Sequence, residues 1–395
     1  MGGSRARLGG AGGKAVVNTS RIRVLHVLWT SQIGGITMGV RDLVNAIDAD
    51  RYDARVCVLA DGDLDLAPLL RRPARIDVLH LRNGFDLAGA RRFCRLLSSV
   101  AADVVHSHTP SVLAALALAI CAPRIPRVFH EHGAVMSARD AWRTRLSYRC
   151  VARLYDRFIA VSESLVRDMT AAAIASERIR VIENAVDAGA GEAMAGRRDA
   201  RALLGLDRDG PLVGTACRLV PEKDLDLFLA VARLVRASRR DVRFVVAGAG
   251  PLEKELKRKA RASGLEGTVL FLGPCRDVTN VWRAVDVFLF TSAQESFGRT
   301  LLESQACQTP VVAPRQVAGG AAELIAASPG ILAVETREPE DLAQGVLRVL
   351  ASERLADELG RAGRAWVMRR PGVREWAGKM QSLYDELCSK PGAAP

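Results

Sequence analysis

Two glutamates, Glu295 and Glu303, bracket the stretch Gln294-Glu295-Ser296-Phe297-Gly298-Arg299-Thr300-Leu301-Leu302-Glu303. The apolar runs 285–290 before it and 311–313 after it read as buried strands, so this stretch is a turn that opens a helix. A strand end, a glycine and a helix start together aim free N–H groups and a positive dipole end at one point, which suits a diphosphate. Carboxylates on either side suit hydroxyls. The combination matches a sugar nucleotide, anionic in the middle and polyhydroxylated at both ends.

Arg218 and Lys223 follow the run 212–217 in a loop that enters a helix. Five residues apart at a strand end, both cations can reach one phosphate, Arg as a fork and Lys as a point charge. Gly34-Gly35 follow the first strand and permit close approach to the backbone. Gly248-Ala249-Gly250 lacks a third glycine at Glu253, so it reads as a tight turn near the nucleotide base rather than a dinucleotide fingerprint. His132 ends the strand 127–130 and faces the cleft as a donor to a sugar or phosphate oxygen, whereas His26, His80 and His106 read as structural. The histidines show no third-ligand pattern for zinc. Triplets such as Asp61-Gly62-Asp63 and Asp224-Leu225-Asp226 read as turns or caps, and no metal is expected.

Positioning these groups requires two parallel sheets. Short apolar runs at 24–29, 55–59, 76–81, 103–105, 127–130 and 158–161 alternate with amphipathic stretches, and a second series covers 212–217, 244–247, 269–272, 285–290 and 311–313. With 395 residues the chain exceeds one ordinary core. The expected organisation is a disordered tail at 1–20, an acceptor-binding Rossmann-like domain at 21–186 and a linker at 187–211. A nucleotide-sugar-binding Rossmann-like domain follows at 212–372, and a final helix at 373–395 crosses back. The helix around 353–363 is expected to cross back with it.

Hydrophobic residues make up 49% and charged residues 25%, and the longest apolar stretch, 112–122, is too short to span a bilayer. A formal net charge of +12 calls for an anionic partner. Eight scattered cysteines without a C-x-x-C pair argue against a disulfide scaffold and for a reducing, cytoplasmic compartment. The segment 139–158 reads as one amphipathic helix. Arg139, Arg143, Arg149, Arg153 and Arg157 share a face with Trp142 and Leu146, which fits an anionic membrane surface, while Tyr148, Val151, Leu154, Tyr155 and Phe158 face the core. No nucleic-acid motif accompanies it.

Taken in order, Gly34-Gly35, His132-Gly133, Ala160-Val161-Ser162-Glu163, Asn184-Ala185-Val186-Asp187, Arg218 to Lys223, Gly248 to Leu252 and the E-x7-E pair Glu295 and Glu303, closed by Thr309-Pro310-Val311-Val312, resemble glycosyltransferase family 4 across residues 22–350. The chain departs from the family pattern at Thr37, Asp224 and Ser296. The resemblance implies a GT-B fold and a retaining transfer of a hexosyl unit from a nucleoside diphosphate sugar, without metal. The acceptor would be a saccharide or lipid-linked polysaccharide precursor at the inner face of the membrane. By the same resemblance Arg218 and Lys223 bind the donor diphosphate, Glu303 the ribose and Glu295 the sugar, with His132 beside them. The backbone of Ser296, Phe297, Gly298, Arg299, Thr300 and Leu301, with Gly34, Gly35 and Gly250, would complete the donor site. The alternatives are a GT-B sugar-nucleotide epimerase, a non-catalytic GT-B binding protein and a glycoside hydrolase using the two carboxylates.

Overall fold

The computed structural model describes residues 21–389 apart from 72–73, 110, 134–147, 150, 192–195 and 207–209. The first sheet comprises β1 (Ile22–Leu28), β2 (Tyr52–Val58), β3 (Ile76–Val78), β4 (Val104–Ser107), β5 (Arg127–Glu131), β6 (Arg157–Ala160) and β7 (Ile179–Val181), in the order β3-β2-β1-β4-β5-β6-β7. The second comprises β8 (Leu212–Ala216), β9 (Arg243–Ala247), β10 (Val269–Gly273), β11 (Val287–Leu289), β12 (Val311–Pro314) and β13 (Ile331–Val334), in the order β10-β9-β8-β11-β12-β13. Every pairing is parallel. The fold is therefore two Rossmann-like α/β domains. Strand order reverses at β1/β4 and at β8/β11, and ligands in such sheets bind outside the carboxyl ends at these switch points.

The central strands are buried on both faces, as helix-covered parallel sheets require, while the edge strands β3 and β7 are partly exposed. In β1, Leu25 and Val27 pack toward the helices Leu87–Val100 and Val112–Cys121, while Val24 packs on the opposite side. That opposite side is filled by the last helix, Val373–Cys388. It buries Trp376, Met380, Tyr384 and Leu387 against Val24, Val104, Val128 and Ile159 of the first sheet. Each such side chain contributes about 1.5–3 kcal/mol on burial. Polar contacts fix the register: Tyr52 donates to Asp385 at 2.6 Å, and Arg157 and Arg180 donate to Glu386 at 2.9 and 2.7 Å.

Several expectations change. The helix Glu353–Met368 stays on the second domain, where Arg364 donates to Ala306 O at 2.7 Å, so only the last helix crosses back. Residues 187–211 hold the helix Arg197–Leu203, docked on the second domain through Arg201 to Ala284 O and Asp286. The basic helix does not run through 158, because Arg157 opens β6 and pairs with Glu386. Arg139, Trp142, Arg143 and Leu146 lie outside the described residues. The core face of that segment holds, since Tyr148, Val151, Tyr155 and Phe158 are buried and Leu154 packs partly buried against the same core.

The cysteines also need correction. Cys94 and Cys121, 27 residues apart, sit on neighbouring helices with Cα atoms 5.6 Å apart and form a disulfide. Helix adjacency, invisible to sequence spacing, brings them together. The strands β7 and β13 escaped the sequence pattern because they are edge strands with little burial: β7 is Ile-Arg-Val with two exposed residues, and β13 buries only Ile331.

Candidate active site

The loops leaving β8 and β11 are laced together at the second switch point. Thr291 Oγ1 donates to Lys223 O at 3.0 Å, and Ala293 N donates to Glu222 O at 2.9 Å. The Glu295 backbone is held at both ends, its N–H donating to Ala318 O at 2.9 Å and its carbonyl accepting from Ala321 N at 3.1 Å. Gly319, at φ +93°, permits this, since a Cβ there would lie 2.4 Å from Glu295 O. Gly298, also at φ +93°, turns the chain into the helix Arg299–Ala306. That helix has no acidic residue in its first turn, so its unpaired N–H groups present an uncompensated positive pole.

Around this pole lie the expected charges. Lys223 donates to Glu295, and Arg299 Nε donates to Glu303 at 2.7 Å. Arg218 is exposed and pairs with no carboxylate among the described residues. A Cβ built on Gly34 would lie 4.0 Å from its side chain, so the glycine loop after β1 faces it across the cleft. Asp224, whose charge beside Lys223 departs from the family pattern, caps the helix Leu225–Ser238 and accepts from Arg337 at 2.5 Å. Its charge is thus engaged away from the phosphate cradle. Asp226 pairs with Lys259 and Asp61 with His80, as turn and cap residues do.

Some expected residues act indirectly. Gly250 lies against the Leu219 backbone, where a Cβ would come within 2.5 Å, so it shapes the loop that carries Arg218. Phe297 and Leu301 are buried, and the Leu301 N–H donates to Gly298 O at 2.9 Å. Leu301 therefore anchors the turn and offers the cleft no free group. Gly35 begins the helix Gly35–Ala46.

Sequence reasoning named Arg299 for its backbone but missed Asp42, the partner that ties its side chain to the first domain. Arg299, its side chain 12% exposed, donates to Asp42 on the helix Gly35–Ala46 as well as to Glu303. Burial opposes its charge, but Glu303 and Asp42 outweigh that and raise its pKa. The available signal was a carboxylate beside Val40 and Leu43 on the buried face of an amphipathic helix.

Five of the six histidines gather at the ends of β1, β4 and β5, while His80 is exposed on Asp61. His26 Nδ1 meets His108 Nε2 at 3.2 Å, and His108 Nδ1 meets His132 Nε2 at 3.0 Å. His106 Nδ1 shares a 2.6 Å hydrogen bond with Tyr384 of the last helix. Burial lowers the pKa of His26 to about 4, and burial with the nearby Arg299 charge lowers that of His132 to about 3, so both rings are neutral at pH 7. Burial raises Glu131 to about 7, opposed by the Gly133 and His132 N–H groups.

Two trios, His26/His106/His108 and His108/His130/His132, hold their nitrogens within 4.8 Å of one another. Their rings stack: His106 and His108 have centroids 4.1 Å apart at 27°, and His130 and His132 are 3.9 Å apart at 28°. Each trio thus brings together three nitrogens that sequence spacing did not join, and the 3.0 and 3.2 Å contacts run through them in a line. The arrangement is a hydrogen-bonded imidazole chain that ends at the cleft.

The model "Glycosyltransferase Family 4" matches residues 33–189, and "Glycosyl transferases group 1" matches residues 196–366. The D-inositol 3-phosphate glycosyltransferase of Saccharomonospora viridis is 37% identical over 185 residues, which is 44% of this chain and 42% of that protein. The match thus spans less than half of either. The 2-deoxystreptamine glucosyltransferase of Streptomyces kanamyceticus is 29% identical over 82% of this chain and 88% of its own length. Among solved structures, Anabaena HepE in complex with UDP-glucose superimposes with a TM-score of 0.80 at 22% identity, covering 93% of this chain and all of that one. Sucrose-phosphate synthase from Thermosynechococcus elongatus gives 0.75 at 19% identity over 93% and 99%. These likenesses concern the fold.

Proposed function

Because the chain belongs to the GT-B glycosyltransferases of family 4, we propose that it is a retaining enzyme moving a hexosyl unit from a nucleoside diphosphate sugar to a saccharide or lipid-linked acceptor. The observation that carries this reading is that Lys223 pairs with Glu295 and Arg299 with Glu303 around the helix Arg299–Ala306, while the Arg218 side chain lies near Gly34. Lys223 and Glu295, now paired, would separate onto the diphosphate and the sugar hydroxyls of a bound donor. Glu303 would accept from the ribose hydroxyls.

Breaking the anomeric C–O bond places negative charge on the leaving diphosphate and positive charge on the sugar. Arg218, Lys223 and the helix pole stabilise the first, a contribution present before reaction and therefore free of reorganisation. The acceptor hydroxyl attacks the anomeric carbon on the face the diphosphate leaves. Its proton passes to a leaving phosphate oxygen, so the products are the glycoside and the nucleoside diphosphate, and no separate base is needed.

The imidazole chain supports a donor role for His132. With Nδ1 of His26 protonated, each ring donates outward, and His132 Nδ1–H is left to donate to a sugar or phosphate oxygen. The diphosphate is served by side-chain cations, so the reading needs no divalent metal. Incubating the enzyme with a panel of nucleoside diphosphate sugars and polyprenyl-linked or free saccharide acceptors, with product linkage determined by NMR, tests it. An α-donor giving a β-product would overturn retention, and donor conversion without any acceptor would indicate an epimerase.

A further inference from the structure

The helix Val112–Cys121 contains no charged residue, yet it lies on the surface. Val112, Leu116 and Ile120, at i, i+4 and i+8, form one face that is 40, 44 and 76% exposed. A helix apolar all round is ordinarily covered. Its neighbour Leu87–Val100, joined to it by the Cys94–Cys121 disulfide, turns outward Leu87 (68% exposed), and Phe85 in the preceding loop is 90% exposed. Large exposed apolar side chains on adjacent elements mark an interaction surface.

The surrounding charge identifies the partner. Arg91 and Arg95 are exposed on the helix Leu87–Val100 and Arg124 lies just past the end of Val112–Cys121, and none of the three takes part in an ion pair among the described residues. From Leu87 to His130 the only acid is Asp103, which is bound to Arg23. A symmetric contact between two copies would bring these arginines toward one another. An apolar face fringed by unpaired arginines instead fits the acyl boundary and anionic headgroups of a membrane. The face also begins at the rim of the cleft: Ser111 caps the helix Val112–Cys121 three residues after His108, which hydrogen-bonds His132.

We propose that the paired helices Leu87–Val100 and Val112–Cys121 are a docking surface for an anionic lipid bilayer, inserting Phe85, Leu87, Leu116 and Ile120 and presenting the cleft to an acceptor carried in that bilayer. The acceptor clause rests on the glycosyltransfer reading above, whereas the docking surface does not. It is also independent of the segment 139–158.

Flotation of the full chain with vesicles of phosphatidylcholine alone, or of equimolar phosphatidylcholine and phosphatidylglycerol, tests it, and thermal stabilisation by the nucleoside diphosphate serves as a separate readout of the donor site. Binding is expected to the acidic vesicles, to weaken at least tenfold in Arg91→Glu/Arg95→Glu/Arg124→Glu and severalfold in Ile120→Glu, and to fall with salt, while nucleotide stabilisation is unchanged. The variants change exposed side chains only, so a retained melting temperature shows that they fold. Equal flotation with both vesicle types, no flotation, or dimerisation that Ile120→Glu abolishes would each overturn the proposal. Loss of nucleotide binding by the wild type would instead count against the donor site and leave the surface standing.

Discussion

The two walls of the cleft are built on opposite electrostatic principles. The second domain presents the ion pairs Lys223–Glu295 and Arg299–Glu303 beside a helix pole, and Arg218 near Gly34. On the first domain the same depth is lined by imidazoles that burial keeps neutral, and by glycine backbone at Gly34 and Gly35. A diphosphate is stabilised by fixed charges, whereas a sugar and an incoming hydroxyl need hydrogen bonds that do not compete for the phosphate. Under the proposed function the charged wall would hold the diphosphate and the neutral wall would offer uncharged donors to sugar and hydroxyl oxygens, and the Asp42–Arg299 pair joins the two walls.

The largest effect should come from breaking the charged wall. Arg218→Ala and Lys223→Ala are each expected to lower kcat about 100- to 1,000-fold, as removal of a preorganised charge-stabilising contact does. Circular dichroism and melting temperature should stay near wild type, which steady-state kinetics beside a thermal melt will check. Wild-type turnover in either variant would move the diphosphate elsewhere.

The neutral wall should declare itself in stability against pH. The folded pKa of His26, about 4, and of His132, about 3, lie below the ordinary value of 6.5, so the unfolded chain binds more protons between those limits. The contribution of these two rings is therefore full above about pH 6.5 and falls as pH drops toward 4. At pH 5 the fully buried His26 alone accounts for about 2 kcal/mol of that loss. Melting temperatures from pH 7.5 to 4.5 should fall, and less steeply in His26→Gln; identical slopes would show that the ring is not buried neutral.

Smaller still is the bridge between the walls. Asp42→Asn leaves Arg299 with Glu303 as its remaining partner, and the cost should be about 2 kcal/mol in chemical denaturation. A raised donor KM should accompany it if the bridge sets the width of the cleft, and an unchanged KM would confine Asp42 to stability. Least of all should change on chelation: turnover in excess EDTA should match turnover without it, and loss restored by Mg²⁺ would assign the diphosphate a metal.

Much of the charged wall could be read in advance because it is local in sequence. Glu295, Gly298 and Glu303 lie within one turn and helix, and Arg218 and Lys223 within one loop. The neutral wall and the bridge were harder to see because they are assembled from distant strands. His26, His108 and His132 come from β1, β4 and β5, which spacing alone treats as isolated. Asp42 and Arg299 are 257 residues apart, and Cys94 meets Cys121 only through helix adjacency. The edge strands β7 and β13 bury too few residues for an apolar run to register.

Equilibrium binding of a nucleoside diphosphate and its parent nucleoside, to wild type and to the Arg218→Ala/Lys223→Ala double variant, tests the donor assignment most directly. A diphosphate that binds wild type much more tightly than the nucleoside, with that advantage erased in the double variant and nucleoside affinity retained, is the predicted result. An advantage that survives the loss of both cations would contradict the assignment.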